Sequence, residues 1–493
     1  MKAIGAGRKP ECAGDRGRAS PWLLAALALC LLAGLLRALP LLLHTPLIAL
    51  ANSFDEVRYS ACFDLYPDRP AEIPPFENSP YAPYSRYAFR GSDMPICYWS
   101  SELVFQAVAA GGYHAQAALT GAGSFSVRWL GALKFGALLL AWGAFGIAWW
   151  RRGAALPALA NGLLLPLLFA DPANTIYVNT FYAEWTALLA LYALVGLILL
   201  HDGERSTRRA AAWLAVAAFA LATSKIQHLV LPLVCAAVVL GFGWWRERRW
   251  IWQGKAALVG SLCGLLLQIV QLNRDSDAIR NIRIANHTDL VFTAMLPATH
   301  DAAGLMATLG VDPDCARYSG LRAWQLPWGS PEEACPSLAN VTRGRELAAL
   351  LREPALGLRM VRNAALALDS WVAPGLGLVE GGDTSRLPPD FFTASDVLEH
   401  ASVRTLVLGL PVAAFALLLA WPRRPSRLRL FNALVAATML ATLGVDVIGD
   451  GLADTPKQCH LVFNAAIAWW TSMLALAMAR AVAWRRPALP QPA

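Results

Sequence analysis

Charge is scarce in this sequence. Of its 493 residues only 15% are Asp, Glu, Lys or Arg, against roughly 25% in a soluble globular domain. That excludes a soluble enzyme. Familiar catalytic signatures are missing as well: there is no CxxC pair, no HExxH, no Walker-type phosphate loop and no GxSxG elbow. Their absence removes zinc-ribbon, zincin, P-loop and α/β-hydrolase readings. The chain also has no internal repeat and no low-complexity tract, so solenoids and disordered tails are excluded.

What is present is apolar. Hydrophobic residues make up 56% of the chain and gather into blocks long enough for the ~20 residues that span a bilayer. Ten spans are expected, at Pro21–Ala51, Leu130–Trp150, Ala154–Ala170, Phe181–Leu200, Ala210–Ala222, His228–Trp245, Ala256–Leu272, Val403–Trp421, Leu430–Val447 and Leu461–Trp484. The first is too long for the h-region of a cleaved signal and is read as an uncleaved span. The fold class is therefore an all-α polytopic membrane protein of about ten transmembrane helices. Residues 1–272 form an N-terminal transmembrane module that includes a first outer loop, 52–129. Residues 273–402 form a second outer segment, in which a helix is expected over Thr342–Leu368 beside a Gly-rich stretch, Gly375–Gly382, and residues 403–493 form the C-terminal helices.

Formal net charge is +8, and its distribution explains it. Arg151, Arg152, Arg208, Arg209, Arg246, Arg248, Arg249, Lys255, Arg427 and Arg429 fall in the short loops on one side, together with Lys2, Arg8, Lys9, Arg16 and Arg18 of the N-terminal tail. The short loops opposite hold only Lys225 and Lys457. This bias places both termini in the cytoplasm, and nucleic acid is not an expected partner. Among nine cysteines, Cys62 and Cys97 share the first outer loop and Cys315 and Cys335 the second. An oxidising outer compartment makes two disulfides the natural hypothesis, with free thiols as the alternative.

Chemistry is sought on the outer side, where most polar groups lie. Asp55 and Glu56 follow the first span. Adjacent carboxylates at a helix mouth repel each other and are partly desolvated, conditions that raise a pKa and suit a general base; an interfacial helix cap is the competing reading. Asp171 and Glu184 flank the second outer loop. Lys225 and His228 occupy the third, Arg280 and Arg283 follow the seventh span, and Lys457 and His460 end the last loop. These basic groups suit a lipid-borne phosphate. Each has a plain alternative as a loop, cap or surface ion pair. Asp450 and Asp454 could hold a divalent ion through oxygens, but no cofactor is required.

Phe54-Asp55-Glu56-Val57 resembles the Asp-Glu motif that opens the first outer loop of protein O-mannosyltransferases, and more broadly the acidic first-loop signature of the GT-C superfamily of membrane glycosyltransferases. Tyr177 to Glu184, Thr223 to His228 and Gly449 to His460 extend the resemblance, as in an uncharacterised bacterial branch. Arg58-Tyr59 stands where mannosyltransferases carry His-Phe. The resemblance implies an inverting glycosyltransferase of a bacterial inner membrane with a periplasmic site. Asp55 would be the base and Glu56 its neighbour, while Asp171, Glu184, Lys225, His228, Arg280, Arg283, Lys457 and His460 would bind substrate. Its partners would be a polyprenyl-phosphate-linked sugar donor and a lipid, glycan or protein acceptor. The alternative is a transporter or flippase of lipid-linked or anionic solutes, which needs charge inside the spans. Lys134 is the main candidate for that, and it lies near enough to a span's end to snorkel. A ligase or polymerase of lipid-linked glycans is a third reading.

Overall fold

The computed structural model describes residues 21–51, 53–68, 83–89, 97–203, 206–274, 277–327, 330–373, 377–382, 387–420 and 426–484. The basic N-terminal tail, the run 69–82 of the first outer loop and part of the Gly-rich stretch 375–382 lie outside them.

Among the described residues seven helical segments are long and apolar enough to cross a bilayer. They are α1 (Pro21–Leu42), α4 (Arg128–Arg151), the stretch Ile226–Glu247 containing α9 (Leu231–Glu247), α10 (Trp252–Leu272), α18 (Ala401–Ala420), α19 (Arg427–Gly449) and α21 (His460–Trp484). Two shorter apolar elements join them: α5 (Ala155–Leu164), which runs into a π-helical stretch to Phe169, and α7 (Glu184–Leu200). Helix α8 (Arg208–Ser224) fills the space between α7 and α10. Each of the ten expected segments contains one of these helices, and the chain is an all-α polytopic membrane protein.

Small residues bring these helices together. A Cβ at Gly260 on α10 would lie 2.0 Å from the carbonyl oxygen of Ala215 on α8, so only glycine permits the observed approach, the packing mode expected where water does not drive association.

One face of the bundle carries short basic loops. There Asp202 pairs with Arg246 at 2.8 Å and with Arg427 at 3.4 Å, while Arg152 and Arg427 lie over Trp149. The opposite, loop face carries everything else. Helix α2 (Ser53–Ser60) follows α1, and α3 (Leu103–Thr120) packs on a small antiparallel sheet of β2 (Leu65–Pro67), β3 (Arg86–Phe89) and β4 (Phe125–Ser126). Tyr87, Tyr113, Phe125 and Phe181 form its core. The second long segment contains α11 (Asp277–Asp289), α12 (Leu296–Ala298), α13 (Ala302–Leu309), α14 (Pro331–Ala334), α15 (Arg343–Arg352), α16 (Pro354–Ala367) and α17 (Ala394–Leu398). The short helices α6 (Pro172–Thr175) and α20 (Thr455–Gln458) lie in the remaining loops. Both expected disulfides, Cys62–Cys97 and Cys315–Cys335, are formed.

Three expectations need correction. The first span ends at Leu42 rather than Ala51, because Pro46 cannot continue a helix and biases the residue before it toward extended backbone. Residues Ile48–Ala51 instead form β1, antiparallel to β5 (Gly377–Val379). The single helix expected over Thr342–Leu368 breaks at Glu353, again before a proline, Pro354. Lys134 does not snorkel: it is fully buried and pairs with Glu102 at 2.7 Å, while donating to the carbonyls of Thr180 at 2.7 Å and Tyr182 at 3.1 Å.

Candidate active site

Two lysines organise the loop face. Lys225 follows the last residue of α8 and enters one turn of 3-10 helix, Ile226–His228, which turns its side chain back over the start of α7. Its Nζ lies 2.9 Å from Glu184 Oε1 and 2.8 Å from Gln458 Oε1. Lys457 projects from α20, a single turn started by Pro456, and is 3% exposed. It pairs with Asp55 of α2 and, at 3.1 Å, with Asp454. Gln458, its neighbour, donates to Asp450 Oδ2 at 3.0 Å. Consecutive residues of α20 thus join the Asp55–Lys457 pair to the Glu184–Lys225 pair.

Asp55 is also held by Arg58, one helical turn on, at 2.5 Å. Burial works to raise its pKa, but Arg58 and Lys457 outweigh that and hold the carboxyl well below its ordinary range. Glu56 points elsewhere. It is 5% exposed, accepts a hydrogen bond from the Tyr87 hydroxyl at 3.0 Å, and is pushed up to about 8 by burial. The raised carboxyl is therefore Glu56 and not Asp55, because their different surroundings dominate over mutual repulsion.

The remaining predicted residues divide. His228 contacts the Ser224 hydroxyl through Nδ1 at 3.0 Å, one turn beyond Lys225. His460 packs on the Tyr177 ring at 4.8 Å and meets Asn464 at 3.2 Å. Asp171 is committed to architecture: it caps α6 through Ala173 N at 2.9 Å, pairs with Arg37 of α1 at 2.5 Å, and accepts from Thr393 Oγ1 and Ala394 N at the start of α17. Arg280 and Arg283 are exposed on α11, in contrast to the buried Lys457 and the part-buried Lys225. The other side of α11 carries Asp289, which burial and the nearby Asp450 push up to about 8.

Sequence reasoning passed over several participants. Arg58 registers there only as a departure from the mannosyltransferase pattern, and Gln458 carries no signal beyond its position beside Lys457. Tyr182, whose ring lies 5.3 Å from Lys457 Nζ, reads as an ordinary core aromatic. Among the described residues no group of three or more His, Cys, Asp and Glu is arranged for a metal ion; Asp450 and Asp454 bind Gln458 and Lys457 instead.

Several polar atoms buried at or beside this junction have no hydrogen-bond partner among the described residues: Tyr177 Oη, Tyr182 Oη, Glu184 Oε2, Asp446 Oδ1, Thr455 Oγ1 and His460 Nδ1. Leaving such a group unpaired costs about 1–3 kcal/mol, so their concentration here marks a place adapted to something other than stability. Within the bundle, an apolar cavity of roughly 230 Å³ runs between α5, α7, α19 and α21, lined by residues that include Leu168, Leu191, Leu434, Ala468 and Asn464. Asn464 also donates to the His460 carbonyl at 2.8 Å, so cavity and polar junction share a boundary.

Comparison with known proteins adds one finding. The family described as "YfdI N-terminal transmembrane domain" matches residues 116–491. The chain belongs to this family. No curated protein and no solved structure matches it. The YfdI-family region contains Glu184, Lys225, His228, Lys457 and His460, whereas Asp55 and Arg58 precede it.

Proposed function

We propose that the protein is a GT-C-type glycosyltransferase that takes a sugar from a polyprenyl-phosphate donor and transfers it to an acceptor hydroxyl on the loop face, the side away from the cytoplasm. The observation that carries this reading is the joining of Asp55–Lys457 to Glu184–Lys225 through α20. It supplies a carboxylate and two cations, Lys457 buried and Lys225 part-buried, at one membrane surface, as an anionic lipid headgroup requires. The unpartnered hydroxyl and carboxylate oxygens suit a polyhydroxyl sugar, and the adjoining apolar cavity suits an isoprenoid chain.

In the resting protein each lysine is neutralised by a carboxylate. A donor phosphate competes for Lys225 and Lys457, and drawing Lys457 away raises the basicity of Asp55. The acceptor oxygen bonds to the anomeric carbon while its proton passes to Asp55. The bond from that carbon to the phosphate oxygen breaks, and its electron pair leaves on the phosphate. Lys225, Lys457 and Arg58 stabilise the added charge, an electrostatic contribution that is usually the largest in catalysis. Displacement from the opposite face inverts the anomeric centre. Glu184, through its free Oε2, and the two tyrosines orient sugar hydroxyls.

The test is donor turnover by purified protein carrying Asp55→Asn, which preserves shape and removes the base. Activity should fall by about 100-fold or more. Near wild-type turnover would remove Asp55 from this role.

A further inference from the structure

Helix α16 has two apolar sides. Leu356, Met360 and Ala364 are buried, and the helix packs on α19, α12, α15 and the π-helical stretch Leu290–Met295. Around the opposite side lie Ala355, Leu358, Val361, Ala365 and Leu366, all exposed, with Arg362 the charged residue among them. Leu358 is 76% and Leu366 69% exposed, and α15 extends the patch with Leu347 and Leu351. A contiguous exposed apolar patch marks an interaction surface.

Placement identifies the occupant. Arg343, at the start of α15, donates to the Ile448 carbonyl at 2.7 Å, at the loop-face end of the α19 span. Arg404, in the first turn of α18, donates to the Asp369 carbonyl at 3.0 Å, just beyond α16. The hairpin is thus tied at both ends to the loop-face termini of two spans. Only 6% of the apolar window of α18 is buried within the protein, and its leucines face outward. The uncovered side of α16 therefore stands at the loop-face ends of these spans. Fourteen residues make a helix of about 21 Å, too short to cross the ~30 Å hydrocarbon core.

We propose that α15 and α16 form an interfacial hairpin whose apolar side is embedded in the acyl boundary of the loop-face leaflet, with Arg362 at the level of the lipid phosphates. Such helices sink about 5–10 Å into the headgroup region.

The experiment places an environment-sensitive fluorescent amino acid at position 358 of the full chain, with position 314 of the disulfide-closed loop as reference, in nanodiscs of phospholipid with or without doxyl-labelled lipid. Doxyl lipid should quench position 358 strongly and aqueous iodide should quench it weakly, with the order reversed at 314. Iodide quenching at 358 equal to that at 314 would mean a solvated face and overturn the proposal. So would protection from both quenchers, which would mean a protein partner. Both positions are exposed, so folding is not at stake.

Discussion

Asp55 and Glu56 share a helical turn, yet their environments divide their roles. Arg58 and Lys457 hold Asp55 ionised, and the Tyr87 hydroxyl reaches Glu56 in an apolar setting. Glu56→Gln should therefore cost far less turnover than Asp55→Asn, and the ratio of the two donor-turnover rates checks it. Asp289 offers a pH signature. Its folded-state value of about 8 lies above the ordinary ~3.9 of an unfolded aspartate, so the folded protein holds the extra proton. Stability from this group is fully present below the unfolded value and is lost as pH rises through 8. Thermal unfolding in detergent should show Asp289→Asn weakening the decline between about pH 4 and 8, because the amide oxygen can still accept from Ala323 N, which bonds Asp289 Oδ1 at 2.7 Å, and the amide cannot ionise.

At the scale of elements, the Glu102–Lys134 pair joins the start of α3 to α4 and supports the loop that ends in Glu184. Both side chains are fully buried, and removing one partner of such a pair costs about 3–5 kcal/mol. Lys134→Met should lower the melting temperature sharply, and adding Glu102→Gln should recover part of the loss. Gly260→Val should force α10 from α8 and yield aggregated material on size-exclusion chromatography, since the added carbon atoms meet backbone. The helices themselves were legible in the sequence because apolar runs of membrane-spanning length have few other outcomes. Their ends were not, where proline decided: Pro46 and Pro354 break patterns that hydrophobicity alone would continue. Lys134 was misread because a lysine near a span's end has the reach to snorkel, and only the distant Glu102 reveals its alternative.

For the molecule as a whole, the sequence locates the polar loop face but not the convergence of its residues. Asp55 and Lys457 are separated by 402 positions, and no local spacing records that they meet. Asp171 looked equivalent to Glu184 from its place in a loop, yet capping and its pairing with Arg37 commit it to architecture. The cysteines were readable because each pair shares one loop. Alkylation of the unfolded chain with and without reductant should differ by the four thiols of Cys62, Cys97, Cys315 and Cys335; no mass difference would contradict both bridges.

The bridge made by Lys457 and Gln458 also bears on biosynthesis. Asp55 leaves the ribosome long before its lysine partner, 402 positions on, so the ion-pair network closes only when the loop that carries Lys457 has been made. Until then Asp55 keeps Arg58 but lacks its second cation, and Lys225 lacks its link to Gln458. On the proposed function, a chain truncated before that loop would hold half of the cation pair and would neither capture donor lipid nor consume it.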